Sequence, residues 1–148
     1  MRNIKFYDGT FTEPAPTLLV ASIGKAFMPG VKEHIERALE KAGQSGLETK
    51  HIEIPNICLE PYHGIGAMRN IAVGEALIGH FDYLLLIDND VLLDNPMTLI
   101  NLVRDSKLVV APLLEQHLVN GTVWQRTAEP MIAPGQGLLP VNWTCMSC

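Results

Sequence analysis

Two aspartates, Asp88 and Asp90, stand one residue apart at the end of an apolar run in the segment YLLLIDND. Carboxylates are costly in a protein core unless they are paired or bind a metal, so their position after this run indicates a site that needs negative charge. Carboxylate oxygens suit hard cations such as Mg²⁺ or Mn²⁺, which also bind waters and substrate phosphates. The motif therefore predicts a site for a divalent cation and a phosphate, with an exposed turn as the alternative.

The element in front of the motif positions these acids. Residues 83–87 are large and apolar and are followed by turn residues, which predicts a strand that is buried on both faces of a parallel sheet. Alternate residues of a strand share a face, so the two carboxylates are expected to point the same way. They would lie at the carboxyl end of the strand, where open α/β sheets bind their ligands.

The rest of the chain alternates between apolar strands and helices. Four strands are predicted, at residues 17–22, 49–55, 83–88 and 107–112. Three helices are predicted between them: residues 31–42 with one apolar face, residues 64–79, and a short helix capped by Asn95. Strands that recur about every 30 residues are typical of βαβ units. The pattern predicts an α/β protein with a Rossmann-like doubly wound, mostly parallel sheet, its strands in the order 3-2-1-4.

The two ends of the chain depart from this pattern. Residues 1–16 end in a proline-rich segment and are predicted to form an N-terminal arm, with residues 17–148 as a single domain. Asn120-Gly121 predicts a β-hairpin. The chain stops shortly after the strand-like run VNWTC, without a closing helix, so the domain is expected to be incomplete at its C-terminal end.

Composition and charge argue against several classes of protein. The net charge is −5 and Lys and Arg form no cluster, which disfavours nucleic acid as a partner. No apolar stretch approaches the ~20 residues of a transmembrane segment, and the N-terminus lacks the apolar segment of a signal peptide. The odd number of cysteines, Cys58, Cys145 and Cys148, indicates reduced thiols and a cytoplasmic location.

Four segments in this order and spacing, TLLVAS, AMRNIAVGEAL, DYLLLIDNDVLL and LVVAP, resemble the donor-binding half of A-type-fold glycosyltransferases, and among these the family-2-like enzymes. The resemblance covers about residues 17–144, and VNWTC is similar to a strand near the acceptor in that family. It implies transfer of a sugar from a nucleoside-diphosphate sugar to a glycan, lipid or protein acceptor that the sequence does not identify. It also implies Mn²⁺ or Mg²⁺ at the Asp-x-Asp motif.

The resemblance implies roles for individual residues. Asp90 would bind the metal that holds the donor diphosphate, and Asp88 would contact the ribose, or the metal through water. Further residues beside the nucleotide would come from the ends of the first two strands and from the helix before the motif: Ser22, Glu53, Asn56, Arg69 and Asn70. A departing nucleoside diphosphate carries charge that a divalent cation and an arginine stabilise.

The catalytic base is the least determined part of this hypothesis. In the inverting enzymes of the family the base is an acid beyond the acceptor strand, and nothing follows Cys148. Glu115 and Glu129 both precede the VNWTC run, so they are weak candidates. The chain alone is therefore expected to bind a nucleotide sugar but to transfer it slowly or not at all. Its unfinished sheet is expected to favour a homo-oligomer, since an unpaired strand attracts a partner.

Two other functions remain as alternatives. A sugar-phosphate nucleotidyltransferase would need a glycine-rich, arginine-containing loop after the first strand, where the chain has only Gly24 and Lys25. A non-catalytic nucleotide- or metal-binding module would need further acids at other strand ends, and only Glu53 is near such a position. A dehydrogenase is disfavoured because the first strand is not followed by GxGxxG.

Overall fold

The computed structural model describes residues 5–24, 26–55 and 65–105, and in this part of the chain the core is built around a three-stranded parallel sheet. The elements in chain order are β1 (Phe6–Tyr7), β2 (Thr10–Phe11), β3 (Thr17–Gly24), α1 (Val31–Gln44), β4 (Glu48–Pro55), α2 (Ile65–Ile78), β5 (Tyr83–Asp88) and α3 (Thr98–Arg104). The predicted α/β class is confirmed. The strand predicted at residues 107–112, the hairpin at Asn120-Gly121 and the VNWTC run lie outside the described residues.

Strand β3 is the middle strand of the sheet. It pairs in parallel with β4 on one side and with β5 on the other. Its residues from Leu18 to Ile23 are buried, because both of its faces are covered by helices. An uninterrupted apolar sequence is what such a two-faced position requires.

Helices α1 and α3 cover one face of the sheet. The buried side of α1 carries Val31, Ile35, Ala38 and Ala42, at the spacing of a single helical face. These side chains form one core with residues of the sheet and of α3, among them Leu18, Val20, Ile87, Leu99, Ile100 and Val103. The helix and the apolar face predicted over residues 31–42 are confirmed.

Helix α2 covers the opposite face of the sheet. Its Met68 and Ala72 pack on Ala21, Ile23 and Ile54. The outward side of α2 exposes four large apolar side chains: Ile71, Val73, Leu77 and Ile78. No helix in the described part of the chain is long and apolar enough to span a membrane.

The predicted strand order, 3-2-1-4, is wrong. The strand at residues 83–88 pairs with β3, so the described strands lie in the order β4-β3-β5. Right-handed crossovers whose helices lie on opposite faces must advance in opposite directions across the sheet. The chain therefore moves from β3 to β4 through α1, and then returns past β3 to β5 through α2. This reversal creates a switch point between the carboxyl ends of β3 and β5.

Two local features near the ends of the described chain differ from the prediction. Within the segment predicted as an arm, β1 and β2 form an antiparallel pair, and the rings of Phe6 and Phe11 meet edge to face with centroids 4.8 Å apart. Asn95 does not cap α3, which begins at Thr98. Its side chain instead accepts a hydrogen bond of 2.9 Å from the backbone N–H of Met97 and stabilises the preceding turn.

Candidate functional site

The carboxyl ends of β3, β4 and β5 meet at one edge of the sheet. The pairing places Ser22 beside Glu53 and Ile23 beside Asp88. The strands therefore bring the ends of three predicted site segments to the place where doubly wound sheets bind their ligands.

The motif acids lie on either side of the end of β5. Asp88 is the last residue of the strand, and a turn follows in which the N–H of Val91 donates to the carbonyl of Asp88 over 3.1 Å. Asp90 is exposed in this turn, whereas Asp88 is half-buried. Strand alternation therefore does not relate the two carboxylates, and the expectation that they share a strand face fails because the strand ends between them.

Asn89, between the two acids, is the most buried residue of the turn. Its backbone N–H donates to the carbonyl of Ile23 over 2.9 Å, and its carbonyl accepts from the N–H of Met28 over 2.9 Å. Its side chain packs against Gly24, where a Cβ atom would lie only 2.8 Å from the Asn89 Cβ. Its Oδ1 atom is buried and has no hydrogen-bond partner. The turn thus ties the end of β5 to β3 and to the segment that leads into α1.

Ser22 is fully buried at the carboxyl end of β3. Its Oγ lies 2.8 Å from Nε2 of His51 on β4, in a hydrogen bond whose direction depends on the tautomer of the imidazole. The hydroxyl also lies 3.4 Å from the carbonyl of Ile52, to which it can donate. Ser22 therefore connects two neighbouring strands rather than forming a turn.

Burial lowers the pKa of His51 below its ordinary value of 6.5, and Lys32 lowers it further, while Glu53 and Glu36 act in the opposite direction. The imidazole of His51 therefore becomes protonated at a higher pH in the unfolded chain than in the folded chain. The stability that neutral His51 provides is present above pH 6.5 and is lost as the pH falls below that value.

We expect the unfolding free energy to fall more steeply below pH 6.5 in the parent than in the His51→Gln variant. One such group contributes at most about 1.4 kcal/mol per pH unit. Denaturant unfolding at several pH values measures both slopes. The His80→Asn variant is the control, because His80 is exposed and Asn tolerates its positive φ of 54°. Equal slopes in the parent and the His51 variant would contradict the prediction.

Glu53 forms an ion pair with Lys32 of α1, with Oε1 and Nζ 2.9 Å apart and both side chains about half exposed. The hydrogen bond and the charge of Glu53 raise the pKa of Lys32. Lys32 also lies over the ring of Phe27, 5.7 Å from its centroid. Solvent screens an exposed pair of this kind, so a ligand could exchange with either partner at little cost.

Arg69 and Asn70 lie in the first half of α2, Arg69 half-buried and Asn70 exposed. Helix α2 packs on the side of the sheet that carries Ile23. Asp88 is the register partner of Ile23, so strand alternation places its side chain on the α2 side. Ser22 and Glu53 belong to the α1 side. The predicted site residues therefore share an edge of the sheet but divide between its two faces.

The described residues contain no group of three or more His, Cys, Asp or Glu side chains that could hold a metal ion. Mg²⁺ and Mn²⁺ nonetheless bind well to one or two carboxylates when substrate phosphates and waters complete the shell. Asp88 and Asp90 supply two carboxylates, the number that such a site needs, and the metal at the motif stays a prediction. Asn56, Glu115 and Glu129 lie outside the described residues.

Three residues at this edge were not predicted: His51, Gly24 and Asn89. A signal existed for His51, because the alternation in TKHIEIP puts it on the same face as Glu53. For Gly24 and Asn89 the sequence offered only a glycine at the end of one strand and an asparagine at the end of another. Gly24 and Asn89 meet because β3 and β5 are adjacent in the sheet. The predicted strand order did not place these two strands side by side.

Comparison with known families gives a match to a glycosyltransferase domain. The model of glycosyltransferase family 25, N-terminal domain, matches residues 50–130, more than half of the chain. The matched region begins in β4 and includes both motif aspartates, whereas Ser22 and Gly24 lie before it. The match supports a glycosyltransferase domain, but it does not confirm the resemblance to family-2-like enzymes. Comparisons with curated proteins and with solved structures gave no significant match.

Proposed function

Because the chain belongs to the family of glycosyltransferase family 25 N-terminal domains, we propose that it takes part in the transfer of a sugar from a nucleoside-diphosphate sugar to an acceptor. The diphosphate would bind with a divalent cation, Mn²⁺ or Mg²⁺, at Asp88 and Asp90. The acceptor would be a glycan, a lipid or a protein. One observation supports this proposal above others: the Asp-x-Asp turn lies at the switch point of a doubly wound sheet.

The two motif acids have different surroundings, which fits different roles. Asp90 is exposed in the turn after β5, so its carboxylate can reach a cation that is also bound to a phosphate. Asp88 is half-buried at the end of the strand and would hold the ribose, or the cation through water. A divalent cation bound here supplies positive charge for the diphosphate that leaves the sugar.

The remaining predicted residues would position the nucleotide. Arg69, on the same side of the sheet as Asp88, would contribute positive charge toward the diphosphate. Glu53, paired with Lys32, would contact the nucleoside from the α1 side, and the fully buried Ser22, bonded to His51, would hold the end of β3 in place behind it. Asn70 and Asn56 are the remaining candidates for nucleotide contacts. The acceptor must lose a proton during transfer, and Glu129 and Glu115 are the candidate bases.

Binding and turnover measurements test the proposal directly. Calorimetry with UDP, GDP, ADP and CDP, each with Mn²⁺ and with EDTA, is expected to show binding of at least one nucleotide that depends on the metal. The corresponding nucleotide sugar is then incubated with the chain, and release of the nucleoside diphosphate is followed with and without a panel of acceptors. Absence of binding to every nucleotide in the presence of Mn²⁺ would refute the proposed function.

A further inference from the structure

One buried polar atom at the switch point has no partner. Asn89 is 8% exposed, and its side-chain Oδ1 makes no hydrogen bond. Buried polar atoms are nearly always paired in folded proteins, because an unpaired one keeps its full desolvation cost. The backbone of Asn89 is satisfied on both sides, by Ile23 and by Met28. The fold therefore holds this side chain in place while leaving its oxygen without a donor.

Asn89 lies in the turn at the end of the sheet where open α/β proteins bind their ligands. The residue lies between the carboxyl ends of β3 and β5, where the direction of the sheet reverses. Gly24 makes room for it, since any Cβ atom there would lie 2.8 Å from the Asn89 Cβ and 3.0 Å from its Cγ. A side chain that is fixed by its backbone and left unpaired beside two acids is arranged for a ligand that supplies a donor.

The chemistry of the oxygen limits which part of a ligand can satisfy it. An amide oxygen only accepts hydrogen bonds. Ionised phosphates also only accept, so the diphosphate cannot be its partner. The nucleoside offers donors, namely the ribose hydroxyls and the N–H groups of the base. A ligand whose phosphates are held at Asp88 and Asp90 would have its nucleoside within reach of the same turn.

We propose that Asn89 is a nucleoside-binding residue, whose Oδ1 accepts a hydrogen bond from an O–H or N–H group of the bound nucleoside diphosphate. This inference rests on the proposed function and adds that the residues of the motif bind different parts of the donor. The two acids bind the charged half of the donor through the cation. Asn89, between them, binds the uncharged nucleoside through its Oδ1 atom.

The test compares Asn89→Leu, which keeps the volume and removes the polar atoms, with the parent chain by calorimetry. The probes are the nucleoside diphosphate that the parent binds most tightly and pyrophosphate, each with Mn²⁺. We expect Asn89→Leu to weaken the nucleoside diphosphate roughly tenfold, the size of one lost hydrogen bond, and to leave pyrophosphate unchanged. The melting temperature should stay the same or rise, because an unpaired buried polar group has been removed.

One further ligand and two further variants make the test more specific. The 2′-deoxy form of the same nucleotide tells whether the 2′-hydroxyl or another donor of the nucleoside is bound. If the 2′-hydroxyl is the donor, the 2′-deoxy form should bind the parent about tenfold more weakly than the nucleotide itself does. It should bind Asn89→Leu as tightly as the nucleotide does. Asn89→Ala replaces the leucine variant if the latter does not fold. Asn95→Ala is the matched control, since Asn95 is an exposed turn residue and should leave both affinities unchanged.

The outcomes separate this inference from the function on which it rests. Equal affinities of the parent and Asn89→Leu for the nucleoside diphosphate would overturn the inference and leave the function intact. So would an equal loss of pyrophosphate binding, which would mean that the side chain shapes the turn or that its oxygen binds the cation. A parent chain that binds none of the four nucleoside diphosphates would refute both.

Discussion

Replacing Asp90 by alanine is expected to lower the affinity for a nucleoside diphosphate with Mn²⁺ at least about 100-fold. Even residues that only orient a metal ligand typically cost about 10–100-fold when they are mutated, and the proposed role of Asp90 is direct. Without this carboxylate the cation and the diphosphate lose the group that neutralises and holds them. Calorimetry with and without EDTA measures the effect: chelation should weaken binding to the parent strongly and to Asp90→Ala hardly at all.

Two further variants make the Asp90 result specific. Asp88→Asn keeps the shape of the side chain and one of its two acceptor oxygens, so its affinity should fall less than that of Asp90→Ala. Asp94→Ala removes another acid of the same segment, which is exposed and lies 3.5 Å from the imidazole of His34. It should bind as the parent does, since Asp94 is not part of the motif. If Asp90→Ala and Asp88→Asn both bind the nucleotide with Mn²⁺ as tightly as the parent, the acids only form a turn.

The strands of the parallel sheet and the helices between them could be predicted because each has a local signal, whereas β1 and β2 were not predicted. Helix α1 shows four apolar residues at helical spacing, all of them buried. Strands β3 and β5 are apolar runs bounded by turn residues. The strand order had no such signal. A strand such as β3, buried on both faces, does not reveal which helix covers which face, and that choice fixes the direction of each crossover.

The candidate site shows the same division between local and tertiary information. Asp88 and Asp90 were chosen as candidates because two acids directly after a buried apolar run are unusual, and this pattern is visible within a few residues of sequence. The hydrogen bond between Ser22 and His51 joins residues on different strands, and the Asn89–Gly24 contact joins two strand ends that are distant in sequence. Such pairs become visible only when the strand order is known. The positions of Ser22, Glu53 and Asp88 near strand ends were predictable, whereas their partners were not.

Replacing Gly24 by alanine is expected to lower the unfolding free energy by about 1–3 kcal/mol, the usual cost of forcing atoms into a packed site. The new Cβ would lie 2.8 Å from the Cβ of Asn89, and φ of Gly24 is +155°, which L residues rarely adopt. The turn carrying both motif acids is bonded to Ile23 through Asn89. Any shift that relieves the clash therefore moves Asp90, and nucleotide affinity should fall together with stability. Denaturant unfolding and calorimetry measure the two effects.

Two other glycines separate the clash from the backbone effect. Gly30 has a φ of +84° but open space around its Cβ position, so Gly30→Ala should cost roughly 1–2 kcal/mol and leave affinity unchanged. Gly74 lies within α2 and also has open space, so Gly74→Ala should stabilise the chain by about 0.5–1 kcal/mol. The Gly24→Ala/Asn89→Gly double variant removes the contacting Cβ and should be more stable than the sum of the single changes implies. Additive free energies would show that Gly24 and Asn89 do not press on each other, and that the motif turn does not depend on this contact.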